Sequence, residues 1–203
     1  MCTETKLSDY SQSVTVPMPT EYGEFSMTVF TDHDDAKEHI LLVMGNPSED
    51  FAPIVRIHSE CATGDLFGSR RCDCGEQLEQ SLQIISEAGC GILIYLRQEG
   101  RGIGLSNKLK AYRLQDQGLD TVDANLELGL PVDGRSYTIA AIMLKSLDIS
   151  RVQLLTNNPE KVQGLQELGI SVSHRLPIQV AYKAQNLGYM KTKQRKLGHL
   201  VSL

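Results

Sequence analysis

With 203 residues, 41% of them hydrophobic and 22% charged, the chain can bury most of its apolar surface in one domain, and neither disorder nor a fibrous repeat is favoured. A formal net charge of −5 argues against nucleic acid as a partner, no window approaches the ~20 apolar residues of a bilayer span, and the opening MCTETKLSDYSQS lacks the apolar core of a secretory leader. Five cysteines, an odd number, fit the reduced thiols of a cytoplasmic protein better than a disulfide framework.

Residues 1–12 are polar and read as a disordered arm. Val14, Val16 and Met18 then alternate with polar neighbours, as do Phe25, Met27 and Val29, which predicts antiparallel strands joined by a turn at 21–24. His39 to Met44, ending at Gly45-Asn46-Pro47, and Ile54 to His58 read as two more strands. From Gly75 the period becomes helical, with Leu78, Leu82 and Ile85 on one face and Gly89 as C-cap. The continuous apolar run Gly91 to Leu96 suits a buried strand. Helices are predicted over Leu105 to Gln117 and Ser136 to Leu147, and over Pro159 to Leu168 with Pro in the first turn and Gly169 behind it. Strands are predicted at Val152 to Leu155 and Ile170 to Val172. Strand, helix and strand in succession imply a parallel component. The expectation is a single mixed α/β domain over 13–203, its N-terminal strands antiparallel and its C-terminal portion partly parallel. The basic run Lys191, Lys193, Arg195 and Lys196 reads as part of a solvated, flexible tail.

Cys61, Cys72 and Cys74 carry the chemistry. Residues i and i+2 of an extended segment face the same side, so Cys72 and Cys74 can meet a metal that Cys61 reaches from another segment. Three thiolates suit zinc, and a three-ligand site leaves the fourth position to water or substrate. A closed structural site, completed by a distant Cys or His, is the alternative. Cys2 lies in the polar arm and Cys90 follows a helix cap, so neither is a good fourth ligand. Three thiolates also need a nearby cation, and Arg70 or Arg71, beside Cys72, is the expected source.

In order and spacing, Arg56-Ile57-His58-Ser59-Glu60-Cys61, Gly68-Ser69-Arg70-Arg71-Cys72-Asp73-Cys74-Gly75 and Arg97-Gln98-Glu99-Gly100-Arg101-Gly102-Ile103-Gly104-Leu105 resemble GTP cyclohydrolase II. Ala111-Tyr112, Asp120-Thr121-Val122, Leu154-Leu155-Thr156-Asn157-Asn158-Pro159 and Lys196-Leu197-Gly198-His199-Leu200 extend the resemblance over nearly everything after residue 50. It implies a homodimeric enzyme of riboflavin synthesis, needing zinc and magnesium, that converts GTP to a diaminopyrimidinone ribosylamine phosphate with loss of formate and diphosphate. By position it implies that Cys61, Cys72 and Cys74 hold one zinc per subunit. It implies GTP contacts at Arg56, Ile57, His58, Ser59, Glu60, Gln77, Glu99, Gly100, Arg101, Thr121, Thr156 and Lys161. Asp133 matches a proton acceptor, Arg135 a nucleophile toward the α-phosphate, and Tyr112 a tyrosine near the reacting centre.

The residue types agree with these roles. Arg56, Arg101 and Lys161 can neutralise triphosphate oxygens, and Glu99 is the expected acceptor for the paired donors of guanine. A guanidinium has a pKa above about 12, so charge stabilisation is the minimal role for Arg135. His58 reads equally as a base, a ligand or a hydrogen-bonded strand histidine, and Gly100, Gly102 and Gly104 alone are weak evidence for a phosphate loop. Two departures stand near the chemistry: Ser136 where the family commonly has aspartate, and Ala62 for a commoner leucine. Ser136 reads as a helix cap. A paralogue that stops at the formamide, or serves another pathway, and a non-catalytic zinc-stabilised GTP-binding module remain the alternatives. A fused dihydroxybutanone phosphate synthase domain is not expected at this length.

Overall fold

The computed structural model describes residues 9–47, 52–183 and 185–200. Val16–Thr20 (β2) and Gly23–Asp32 (β3) pair antiparallel across a tight turn, where Gly23 takes a φ of +115° that a side chain would resist. Tyr10–Gln12 (β1) pairs antiparallel with Phe30 to Asp32, which shortens the expected disordered arm; residues 1–8 lie outside the described residues. Val14, expected in a strand, is 81% exposed, while the neighbouring Ser13 accepts from the Val29 amide. Glu38–Met44 (β4) continues the antiparallel half and pairs with Gly91–Leu96 (β6).

The parallel half is Ile54–Ser59 (β5), β6, Arg151–Leu155 (β7) and Ser171–Leu176 (β8), with β5 between β6 and β7. Alternate residues of β6 face opposite sides of the sheet, and each side has its own core. Ile92, Ile94 and Leu96 pack with Thr138–Lys145 (α5) and with Leu165 of Pro159–Glu167 (α6). Leu93 packs with Phe25, Met44 and Ile85, the last from Cys74–Ala88 (α2). Helix α5 is buried from Ile139 to Leu144, as an all-round apolar helix must be. The expected mixed α/β fold is what these pairings form.

Short polar helices complete the chain. Ala62–Asp65 (α1) and Thr121–Glu127 (α4) have too few apolar repeats to announce themselves, though Asp120 caps α4 by accepting from Val122 and Asp123. Leu105–Asp116 (α3) lies where expected. The basic run is a correction to the expected flexible tail: Leu187–Lys196 (α7) is helical, packs against α4, and buries Met190 and Lys193. Two of its four cations have carboxylate partners, Lys193 with Asp73 and Lys196 with Asp120 and Asp123, which is why a basic segment docks rather than floats.

Candidate active site

Parallel strands place their carboxyl ends on one edge, and there β5, β6 and β7 deliver three chain segments to one cleft. After β5 come Ser59, Glu60 and Cys61; after β6, Glu99 to Ile103; after β7, Thr156 to Asn158. The cleft spans about 1020 Å³ of empty space, open solvent included, and is lined by polar and charged side chains along its length.

At one end three sulfurs converge, those of Cys61, Cys72 and Cys74 lying within 4.8 Å of one another and Cys61 Sγ 3.6 Å from Cys72 Sγ. Tetrahedral zinc with Zn–S bonds of about 2.3 Å needs sulfurs about 3.8 Å apart, so the spacing fits the ion. Glycine makes the convergence possible: a Cβ on Gly64 would stand 2.9 Å from Cys72 Sγ and 3.3 Å from Cys61 Sγ. Gly75 is equally constrained, since its Cβ would meet the Gly64 carbonyl at 2.6 Å. Asp65 ties the Cys61 loop down by accepting from the Cys61 amide, the Tyr95 hydroxyl and His58 Nε2. No fourth His, Cys, Asp or Glu joins the group among the described residues. Cys90 lies beyond the far end of the 15-residue α2, about 22 Å away along the helix. Hydrogen bonds from the Cys72 and Cys74 thiols, helped by Lys108, hold Cys61 well below the usual thiol range. The bond to Cys61 pushes Cys72 up to about 11 and Cys74 well above its ordinary value. Three thiolates therefore require a bound cation.

The cation expected from Arg70 or Arg71 comes from elsewhere. Arg70 is exposed and Arg71 pairs with Asp116 while covering the Tyr112 ring at 4.8 Å. Lys108, in the middle of α3, donates to Cys61 Sγ at 3.1 Å, Thr63 at 3.0 Å and Glu99 at 2.8 Å. Burial works against its charge, but the Glu99 bond and Cys61 outweigh it and hold the ammonium above its ordinary pKa. Nothing in the helical pattern marks this lysine. Glu99 departs further from expectation. Its oxygens accept from the amides of Ala62 and Gly100, both at 2.7 Å, as well as from Lys108, so the carboxylate expected to read guanine is engaged by the chain itself.

At the other end the cleft is cationic. Arg56 donates to the Leu155 carbonyl, the Gln77 amide oxygen and His58 Nδ1, all neutral acceptors, and Lys161 donates to the Ile57 carbonyl at 2.7 Å. Neither these two nor Arg101 has a carboxylate partner among the described residues, and Arg56 Nε, Arg101 Nη1 and Asn158 Nδ2 are buried without any hydrogen bond. Burial pulls Arg56 down to about 10, and burial with three neighbouring cations pulls Lys161 well below its ordinary value. Orphaned donors of this kind await an anion. The glycines have a backbone explanation: Gly100, Arg101, Gly102 and Gly104 all have positive φ, and a Cβ on Gly102 would strike the Gly134 carbonyl at 2.9 Å. That contact locks the Arg101 turn to the loop carrying Asp133 and Arg135.

Of the residues implied by resemblance, Arg56, His58, Ser59, Glu60, Gln77, Glu99, Gly100, Arg101, Thr121, Thr156 and Lys161 line the cleft, as do Tyr112, Arg135 and the three cysteines. Ile57 and Asp133 do not. Ile57 serves through its carbonyl, and Asp133 is occupied by Arg135, whose Nε donates at 2.9 Å and whose amide donates at 3.0 Å. His58, 2% exposed, hydrogen-bonds Asp65 and stacks on Tyr95 at 5.5 Å; it is the satisfied strand histidine, not a ligand. Ser136 accepts from the Thr138 amide at 3.2 Å, but it lies one residue ahead of Tyr137, the N-cap of α5, which has no side-chain cap, so the expected cap at 136 is not formed. Sequence reasoning assigned no role to Lys108, Tyr189, Lys193 or His199, all of which line the cleft. His199 stands in the quoted Lys196-Leu197-Gly198-His199-Leu200 segment, the one signal that could have drawn attention to it.

Residues 11–177 match the family model described as GTP cyclohydrolase II. The "Riboflavin biosynthesis protein RibBA" of Bacillus cytotoxicus is 51% identical over 193 residues, 95% of this chain and 49% of that protein. The protein of the same name from Bacillus subtilis strain 168 is 51% identical over 191 residues, 94% of this chain and 48% of its own length. The chain thus spans about half the length of the curated relatives it matches. A solved two-domain 3,4-dihydroxy-2-butanone 4-phosphate synthase, RibBX from A. baumannii, is similar over 85% of this chain and 41% of its own, but a TM-score of 0.49 at 17% identity is too weak to bear on fold or function. With the three cysteines and the cations Arg56, Arg101 and Lys161 all inside the segment that the family model covers, the chain belongs to the GTP cyclohydrolase II family.

Proposed function

We propose that this chain opens the imidazole ring of GTP, releasing formate and diphosphate to leave 2,5-diamino-6-ribosylamino-4-pyrimidinone 5'-phosphate, the first step of riboflavin biosynthesis. The observation that carries the reading is a single cleft with three converging sulfurs at one end and, at the other, the buried Arg56 and Lys161 and the half-buried Arg101, which lack carboxylate partners among the described residues. Cys61, Cys72 and Cys74 would hold one zinc ion per subunit, which would supply Lewis acidity for hydrolysis at the ring carbon between the nitrogens and of the resulting formamide.

The chain's own groups do the rest. Lys108 balances the sulfur charge, and Glu99 holds Lys108 and the α1 amide in place. Arg56, Arg101 and Lys161 bind the triphosphate through donors that are otherwise unsatisfied. Asp133 aims Arg135 into the cleft, where its guanidinium stabilises charge at the α-phosphate; an acceptor role for Asp133 itself requires Arg135 to let go first. Tyr112, beside Thr63 and the sulfurs, closes the wall at the reacting end. Magnesium would enter with the nucleotide, held by its phosphates. A cytoplasmic homodimer belongs to the same reading. No helix among the described residues is long and apolar enough to cross a membrane, and sedimentation analysis tests the assembly.

Incubating zinc-loaded protein with GTP and magnesium, followed by product identification, tests the proposal. Formate, diphosphate and the pyrimidinone are expected in equal amounts. A product that retains its formyl group would replace the full reaction with its first half, and intact GTP would refute both.

A further inference from the structure

The C-terminal segment closes the cationic end of the cleft from far along the chain. Lys193 Nζ lies 2.6 Å from Asp73, which is itself 1% exposed between Cys72 and Cys74, and 4.6 Å from the Tyr189 ring centre. Asn186 donates to the Cys72 carbonyl. After α7 the chain reverses at Gly198, whose φ is +62°; the His199 amide donates to the Lys193 carbonyl and the Leu200 amide to the Asn157 carbonyl at 2.9 Å. This returns the His199 ring to the cleft.

The groups around that ring are nearly all cationic or neutral. Lys193 acts on it from α7, Lys161 from α6, Arg101 from the turn after β6 and Arg135 from the loop before α5, while Tyr189, Asn157 and Asn158 line the same cleft. Two of these cations carry a carboxylate of their own, Lys193 with Asp73 and Arg135 with Asp133. Burial, then Lys193, Arg101, Arg135 and Lys161, drive the imidazole down to about 2 and keep it neutral. A polyanion among the same cations reverses that field.

We propose that Lys193 and His199 form part of the polyphosphate subsite, with His199 taking up a proton as the phosphates arrive and donating to them as imidazolium. The inference rests on the proposed GTP reaction for its ligand, but tripolyphosphate tests it without turnover. In zinc-loaded wild-type protein at pH 6, saturation with tripolyphosphate should shift the His199 ring resonances to those of the charged form. His199→Gln should weaken tripolyphosphate binding about 10-fold or more, as loss of a charge-assisted hydrogen bond does. Calorimetry in buffers of different ionisation enthalpy should show less proton uptake by this variant than by wild type; uptake by Lys161 is common to both. A His199 ring that stays neutral under saturating tripolyphosphate, or a variant that binds as tightly with equal proton uptake, would overturn the inference even if formate is still released from GTP. Protonation of His199 by tripolyphosphate in a protein that leaves GTP intact would instead sink the reaction and leave the subsite standing.

Discussion

The two ends of the cleft are incomplete in opposite ways. Around Cys61, Cys72 and Cys74 the chain collects groups that ionise to anions and gives them one close cation, Lys108. Around Arg56, Arg101 and Lys161 it collects cations and withholds carboxylates. The carboxylates nearest the cleft are engaged: Glu99 by Lys108, Asp133 by Arg135, Asp73 by Lys193 and Glu60 by Arg97. The difference teaches that each end leaves charge of one sign uncompensated by the chain, so the sulfur end suits a cation and the other end an anion.

Breaking the sulfur end has the largest expected effect. Cys72→Ser should abolish stoichiometric zinc, read by metal analysis, and cut formate release by more than the roughly 10–100-fold typical of losing an outer partner. At the cationic end Lys161→Met should weaken GTP binding roughly 10–100-fold while barely changing binding of guanosine, because only the phosphates lose a charged donor; equal losses for both would place Lys161 elsewhere. Lys108→Met should loosen zinc by about 10-fold in a competition with a chelator, and Arg71→Met should do less, which separates the cation that touches sulfur from the one that pairs with Asp116.

The smallest effect concerns stability. The Arg135 hydrogen bonds outweigh burial and hold Asp133 below its ordinary carboxyl value of 3.8. Its contribution is therefore fully present above that value and is lost as pH falls through the lower folded-state pKa. Asp133→Asn should cost about 1–3 kcal/mol in urea unfolding at neutral pH, and the gap to wild type should narrow below pH 4. A gap that widens on acidification would mean that the ion pair does not form.

The fold was legible wherever burial imposes a period. Phe25, Leu78, Leu82, Ile85 and the run from Gly91 to Leu96 announce strands and a helix because one face or both must be apolar. Helices α1, α4 and α7 were not, since each is held by polar contacts: Asp65 with the Cys61 amide, Asp120 with its own helix start, Lys193 with Asp73. The site was legible as far as the cysteines and the glycine-flanked Glu99 and Arg101. The partners of Glu99 were not, because Ala62 and Lys108 meet it only after β5 and β6 lie side by side.

Sequence alone therefore determined the mixed sheet, the three thiols and the cations, because residue type and period are local properties of the chain. Tertiary structure alone decided how those charges are shared. Lys108 rather than Arg71 touches sulfur, Glu99 binds the α1 amide and Lys108 as well as lining the cleft, and a tail that looks solvated becomes a wall of the site. Each of these is a choice of partner, set by the low polarity of a closed cleft, where a charge must find its counterpart across many residues of chain.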